Sequence, residues 1–317
     1  VESVDIFFRN LRKGTLVRMI LDSPETFVDE NGKEGVKMGT TAFPIACYYD
    51  VRIYAMWHWH EEFEVHIVEK GAVRFRVGRE TYILEEGEAA FVNSRGMHEI
   101  EPAGEGETMD HCVCWHPRLV GGSPDSIFWQ DCVEPLLADK AFQGMKLSPK
   151  ISWQKMVIDC IEKCWLANEG EGQGYALYSR NMLSEVLFRI CEHRQAQHRV
   201  PVGKELLDAS RIRLMLQFIH ENYSEELSSG RIAEFADISE SECLRCFRRT
   251  IDTTPMRYVQ QYRIQRASYL LEHTGLKIID IGVQCGFQEM GYFSKVFRKF
   301  QGCTPSEWRK RKAEAGT

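Results

Sequence analysis

The sequence predicts an α+β protein, with an N-terminal antiparallel β-barrel and flanking helices followed by a C-terminal all-α domain. Three observations carry this prediction. Residues 42–116 hold six short apolar runs separated by glycine-marked turns, apolar residues recur at three and four spacing from Ser148 onward, and the last third of the chain repeats itself at an offset of 50 residues. A chain of 317 residues is also long enough for two cores. The boundaries that follow are 1–147 for the barrel, 148–195 for a helical pair, 196–207 for a linker and 208–312 for the C-terminal domain.

The strand runs are "IYAMWHW", "FEVHIVEKG", "AVRFRVG", "ETYILEEGE", "AAFVNSRG" and "MDHCVCWH". Side chains alternate along a strand, so His58, His60, Glu64 and His66 share parity and can line one interior face. Trp57, Trp59 and Phe63 offer stacking or core area beside them. His111-Cys112-x-Cys114-x-His116 is a second grouping of metal-ligand or redox types, although two cysteines on one strand are expected to fill core. The helical runs "WQKMVIDCIEKCWLA" (153–167) and "YALYSRNMLSEVLFRICEHRQ" (175–195) carry apolar stripes that must be buried on the barrel or on a second copy of the chain. A homodimer is expected to form there. "NEGEGQG" reads as the turn between them and "AQHRVPVGK" (196–204) as the connection to the next domain.

Composition removes several classes. No run reaches the roughly 20 apolar residues of a membrane span, and "VESVDIFFRNLRKG" lacks a signal peptide's continuous apolar stretch. The eleven cysteines are scattered as reduced thiols are, so a cytoplasmic location is expected and a membrane partner is not. The net charge of −6 is uneven: from Gly203 onward 18 Lys and Arg face 15 Asp and Glu, net +3, leaving the first 202 residues at −9. The C-terminal third is the candidate for a polyanionic partner.

That third holds two copies of one unit. "CLRCFRRTIDTTPMRY" (243–258) aligns with "FSKVFRKFQGCTPSEW" (293–308), placing Phe247 over Phe297 and Pro255 over Pro305. In each, a short helix, a tight break (Ala236-Asp237-Ile238 or Cys285-Gly286-Phe287) and a second helix follow one another, with Ser239 the expected N-cap of the first copy. Cys243, Cys246 and Phe247, or Phe293, Val296 and Phe297, take inward positions; the thiol pair is thereby expected in core and not on a metal. The opposite face carries Arg245, Arg248 and Arg249, or Lys295, Arg298 and Lys299. A helix with a basic outer face after a tight turn suits a DNA major groove. Longer helices, 210–223 and 255–275, precede and join the units, the second opening at Pro255 and stopping at Gly275.

The segment "YRIQRASYLLEHTGLKIIDIGVQCGFQEMGYFSKVFRKFQGCTPSEWRK" (262–310) resembles the AraC/XylS family of bacterial transcription regulators, and the likeness extends over Ser210 to Lys312. The resemblance implies two helix-turn-helix modules whose recognition helices enter successive major grooves, about 34 Å apart. It brings Ser241, Glu242, Leu244 and Arg245 to base edges and Arg248 and Arg249 to phosphate. In the second module it brings Gln288, Glu289, Gly291, Tyr292, Ser294 and Lys295 to bases and Arg298 to the backbone. Gly291 departs from the polar residue common at that position.

The strand region resembles a cupin: His58-x-His60-x-x-x-Glu64 with Gly71 matches the first cupin motif, and Gly87 with His98 the second, although Asn93 and Arg95 replace that motif's Pro and Gly. His58, His60, Glu64, His66 and His98 are the expected lining of an effector pocket. His58, His60, Glu64 and His98 are equally the ligand types of a divalent zinc, iron, nickel or manganese ion, and the sequence leaves these two uses open. The expected protein is a sequence-specific regulator and not an enzyme, binding double-stranded DNA and a small-molecule effector, working with RNA polymerase, and requiring no cofactor. The competing expectation is a metal or redox sensor, or a cupin metalloenzyme with a DNA-binding tail.

Overall fold

The computed structural model describes residues 39–51, 55–104, 106–194 and 203–315. The first 38 residues of the expected barrel segment and most of the expected linker lie outside them. Among the described residues, nine strands form two antiparallel sheets. β1 (Ile45–Val51), β8 (Met109–Trp115), β3 (Phe63–Lys70), β6 (Ala89–Val92) and β9 (Gly144–Leu147) make one, in that order; β2 (Ala55–His58), β7 (His98–Pro102), β4 (Ala72–Val77) and β5 (Glu80–Glu85) make the other.

Alternation along β3 decides what each face does. Phe63, Val65 and Ile67 point out of the sandwich, join Val113 and Trp115 of β8, and are covered by two antiparallel helices, α3 (Ser152–Gly170) and α4 (Tyr175–Arg194). Val157, Ile161 and Cys164 of α3 and Leu183, Val186, Leu187 and Ile190 of α4 complete that core. Glu64, His66 and Val68 point the other way, into the sandwich, where Val73, Phe75, Val77, Leu84 and Ile100 of the smaller sheet meet them. Gly71, with φ 78°, makes the β3–β4 turn; a Cβ there would lie 2.7 Å from the Glu107 carbonyl.

β1, β9 and the short helices α1 (Arg118–Gly121) and α2 (Glu134–Ala138), the latter entered through a π turn at Trp129–Val133, were not among the strand and helix runs read from sequence. Ile45, Ala46 and Tyr48 of β1 are buried and Cys47 and Tyr49 half-buried, so these residues lack the buried-exposed alternation that marks a surface strand.

The C-terminal domain contains α5 (Gly203–Asn222), α6 (Ser229–Phe235), α7 (Glu240–Ile251), α8 (Pro255–His273), α9 (Ile278–Gln284), α10 (Met290–Gln301) and α11 (Pro305–Ala315). Ser228, Ser239 and Thr254 cap α6, α7 and α8, each accepting from the backbone N–H three residues on, contacts worth about 1 kcal/mol apiece. α5 begins at Gly203, inside the expected linker, and α8 ends at His273 with Thr274 as its C-cap, just short of Gly275. The repeat is plain in the backbone: Asp237 (φ 51°) and Gly286 (φ 77°) occupy the same turn position.

α8 belongs to both units. Tyr258, Val259 and Tyr262 of its first half pack with Ile232, Cys243, Cys246 and Phe247. Ile264, Ala267 and Leu271 of its second half pack with Ile281, Phe287, Phe293 and Phe297. The first unit's core also takes in Met56, Trp57 and Met97 of the barrel. Among the described residues no helix is long and apolar enough to cross a membrane.

Candidate functional site

Registers bring the barrel's polar residues together. His58 pairs directly with His98 across β2 and β7, while Glu64 faces Cys114 and His66 faces Cys112 across β3 and β8. His58, His60, Glu64, His66 and His98 are all buried, His98 completely. Glu64 is the hub. Its Oε2 accepts from His60 Nε2 at 3.1 Å and lies 3.0 Å from His98 Nε2, off the hydrogen-bonding direction; its Oε1 lies 3.0 Å from His66 Nε2 and accepts from the Cys114 thiol at 3.1 Å. His66 Nδ1 donates to Asp110 Oδ2 at 2.6 Å. The His58 and His98 rings are 4.0 Å apart.

Burial alone would raise Glu64, but the charge on His66 and the close imidazole nitrogens of His60, His66 and His98 override it and hold the carboxyl well below the usual range. Burial would likewise lower His66, yet Glu64 and then Cys112 and Asp110 hold it well above an ordinary imidazole. His58 and His98 go the other way, pushed down first by burial and, for His58, by His98 and His60. The arrangement is an Asp110–imidazolium–Glu64 chain beside two neutral imidazoles.

The tautomers add a constraint. Nδ1 of His58, His60 and His98 each faces a backbone carbonyl, Met56 O at 2.6 Å, Glu62 O at 3.2 Å and Gly96 O at 2.9 Å. A carbonyl only accepts, so Nδ1 of His58 and of His98 carries a proton and the lone pair of each neutral ring falls on Nε2, whereas His60 Nε2 is the donor to Glu64 and offers a lone pair only when that proton is released. Donor atoms of these three rings lie within 4.8 Å of one another. The set fits a divalent ion, with the carbonyls fixing ring orientation as outer ligands do in metal sites.

Cys112 and Cys114 were expected as core; they are buried, and they also join this cluster. The His111-to-His116 grouping does not assemble. His111 faces the helical side, 2.8 Å from Glu69 Oε1 and 3.7 Å from Glu162 Oε2, and His116 lies at the barrel rim. Alternation along β8, visible in the sequence, separates His111 from the two thiols.

At that rim a cavity of about 430 Å³ opens between the barrel and α5, lined by Glu61, the 93–96 turn, His116, Phe142 and, from α5, Ala209, Ser210 and Arg213. Sequence reading missed it, because its walls come from segments some 150 residues apart. Arg213 is held below an ordinary guanidinium first by burial and then by the charge of Arg95, and its guanidinium lies 5.8 Å from the centre of the Trp59 ring.

The DNA-reading candidates fall on α7 and α10. Ser241, Arg245 and Arg248 are exposed and Leu244 is half-buried on α7. Glu242 is occupied: Arg245 Nη2 reaches its Oε2 at 2.9 Å and Arg249 Nη2 its Oε1 at 2.7 Å. Arg249, expected on phosphate, is instead turned inward to buried Asp208, to which Nε and Nη2 donate at 3.0 and 3.1 Å. Gln288, Glu289, Gly291, Tyr292, Lys295 and Arg298 are exposed at α10, Ser294 is half-buried, and the Tyr292 hydroxyl accepts from Gln260 Nε2 at 2.7 Å.

Comparison with known proteins agrees with both halves. An AraC-like ligand binding domain model matches residues 43–145 and a helix-turn-helix domain model matches 232–311. The chain is 27% identical over 292 residues to an uncharacterized HTH-type transcriptional regulator, YdeC, of Bacillus subtilis, covering 89% of this chain and 97% of that one. It is 24% identical over 299 residues to the HTH-type transcriptional activator RhaR of Salmonella dublin, covering 92% and 96%. Among solved structures, an AraC-type DNA-binding regulator from Chromobacterium violaceum aligns over 32% of this chain and 92% of its own at 31% identity, TM-score 0.32. ToxT from Vibrio cholerae aligns over 85% and 98% at 11% identity, TM-score 0.46.

Proposed function

The chain belongs to the AraC/XylS family of DNA-binding transcription regulators, and from that premise we propose that an effector at the barrel changes DNA affinity by moving β2 and β7 against the first helix-turn-helix unit. One observation carries this reading. His58 and His98 face the cluster, while their chain neighbours Trp57 and Met97 are packed into the core of the DNA-binding unit. A shift of either strand is therefore felt on both sides. Tyr258 Oη donates to the Trp57 carbonyl at 3.1 Å, and His220 Nε2 donates to Tyr258 Oη at 2.7 Å, carrying the contact through to α5.

The rim cavity gives the effector room. A molecule seated there touches Gly96, two residues from His98, and Arg213 on the DNA-binding side. It shifts the arrangement only to the extent that it binds one arrangement more tightly than the other.

On DNA, Arg245 and Lys295 read guanine edges, and Ser241, Gln288, Glu289, Tyr292 and Ser294 sit near them; Leu244 supplies apolar contact and Arg248 and Arg298 hold phosphate. Glu242 and Arg249 serve the helix itself, Glu242 aiming Arg245 and Arg249 anchoring α7 to Asp208. Gly291 lets the backbone approach closely. A second copy of the chain docks on the exposed apolar side chains Leu177, Tyr178 and Phe188 of α4 and Met156 of α3. The regulator acts in the cytoplasm, with RNA polymerase as its partner at the promoter, and carries out no catalysis.

The tautomer geometry favours one addition: His58, His60 and His98, with Glu64, hold a divalent metal as part of the effector site. Such an ion supplies a Lewis-acid anchor for an effector oxygen. Selection of bound fragments from genomic DNA, followed by mobility shifts at two salt concentrations, tests the DNA reading. A specific site with a salt-dependent affinity supports it, and uniform binding to all fragments refutes it.

A further inference from the structure

The barrel holds a second group of ligand atoms on the inner faces of β3 and β8, adjoining the three imidazoles through Glu64, which His60 also reaches. Antiparallel register sets Glu64 opposite Cys114 and His66 opposite Cys112, giving four side chains on a two-by-two grid with a common direction. Directly opposed residues are the closest neighbours a sheet offers. Ligand atoms of Glu64, His66 and Cys112 lie within 4.8 Å of one another, and the Cys114 thiol is 3.1 Å from Glu64 Oε1. All four residues are buried.

The surroundings of His66 are those of a metal ligand. Its Nδ1 donates to Asp110 Oδ2 at 2.6 Å, which turns Nε2 toward Glu64 and the thiols. A carboxylate behind an imidazole fixes the tautomer and strengthens the other nitrogen as a donor to a metal. Asp110 itself is buried, and among the described residues its other oxygen, Oδ1, has no hydrogen-bond partner.

We infer that Glu64, His66, Cys112 and Cys114 form a thiolate-containing site for a four-coordinate ion of borderline softness, zinc above all, with Asp110 as the residue that positions His66. One imidazole, one carboxylate and two thiolates match what such an ion takes in closed, tetrahedral sites. Binding releases the Nε2 proton of His66 and the two thiol protons, and leaves the Nδ1 proton on His66, donated to Asp110. The site shares the Glu64 carboxylate with the three-imidazole set and differs from it in offering sulfur. It rests on the barrel geometry alone and is independent of whether the chain binds a particular DNA site.

Cobalt(II) supplied during refolding of the full chain, purified without an affinity tag and stripped with chelator, tests this. The wild type should take up cobalt with an intense near-ultraviolet thiolate-to-cobalt charge-transfer band that equimolar zinc bleaches. Cys112→Ser should lose about half of it, and the Cys112→Ser, Cys114→Ser pair all of it. His98→Ala, which damages the three-imidazole set, should keep it. Asp110→Asn should keep the band but weaken zinc competition roughly 10- to 100-fold, and this variant decides the matter should the double cysteine variant fail to fold. Cobalt bound with no charge-transfer band, no cobalt bound at all, or a band that survives loss of both thiols overturns the inference; a mobility shift on the same samples reports separately on DNA binding.

Discussion

The hydroxyl of Tyr258, in the helix that joins the two DNA-binding units, donates to the backbone carbonyl of Trp57, the residue before His58 in the barrel. Some 200 residues of chain separate these partners, and one hydrogen bond joins the two halves of the regulator where both are buried. Tyr258→Phe leaves the Trp57 carbonyl and the His220 Nε2 hydrogen without a partner. It should cost roughly 1 to 3 kcal/mol of stability in urea unfolding while leaving affinity for a specific DNA site within a few-fold of wild type.

Arg245 and Arg249 lie one helical turn apart on α7 and should behave oppositely. Arg245→Ala should cost roughly 1 to 3 kcal/mol on DNA, concentrated at one base pair, with unfolding unchanged. Equal loss on every sequence would make Arg245 a phosphate contact. Arg249→Ala strands the buried Asp208 carboxylate and should lower stability by about 2 kcal/mol, below the cost of a fully buried pair because Arg249 is partly solvated; adding Asp208→Asn should recover part of it.

The repeat itself was legible because two copies of one pattern can be compared within one chain, and the apolar positions 243, 246, 247, 293, 296 and 297 are all buried. Strand parity likewise put His58, His60, Glu64 and His66 on one face before any fold was known. Register was not legible. That Cys114 sits opposite Glu64, and Cys112 opposite His66, depends on which strands become neighbours, and β1 and β9 gave no alternating signal to fix that order. The fates of Glu242 and Arg249 were hidden for a different reason, since Asp208 reaches α7 only through the fold of α5.

Glu64→Gln should be more damaging than any single histidine change. The amide cannot balance the His66 imidazolium, which burial makes costly to leave unpaired, so a loss of about 3 to 5 kcal/mol is expected in urea unfolding. A loss under about 1 kcal/mol would mean that His66 is neutral in the folded barrel.

Burial, and then the charge of Arg266, pushes His220 down to about 3. Unfolded, an imidazole takes up a proton below about pH 6.5, and the folded one does not. Its contribution is therefore complete above that pH and is lost as the pH falls toward the folded value, by up to about 1.4 kcal/mol per unit. Urea unfolding at about pH 7.5 and about pH 5 should show the gap between wild type and His220→Gln narrowing in acid. A gap independent of pH contradicts a neutral His220.

Gly286 and Asp237 test the duplicated turn. A Cβ at Gly286 meets the Tyr223 and Ser224 carbonyls at 2.8 and 2.9 Å with φ at 77°, so Gly286→Ala should destabilise the second unit by more than about 1 kcal/mol. Asp237→Gly, relieving a positive φ, should be neutral or stabilising by up to about 1 kcal/mol. Thermal unfolding of the two variants reads both.

The most direct test of coupling between barrel and DNA-binding unit needs no effector in hand. Coupling is reciprocal, so DNA that selects one domain arrangement must alter the barrel. Amide hydrogen exchange of the full chain, with and without a DNA site selected from random sequence, should show changed protection in residues 55–60 and 96–100, and the change should disappear in Tyr258→Phe. Changed protection confined to α7 and α10, with the barrel strands untouched by specific DNA, would contradict the account.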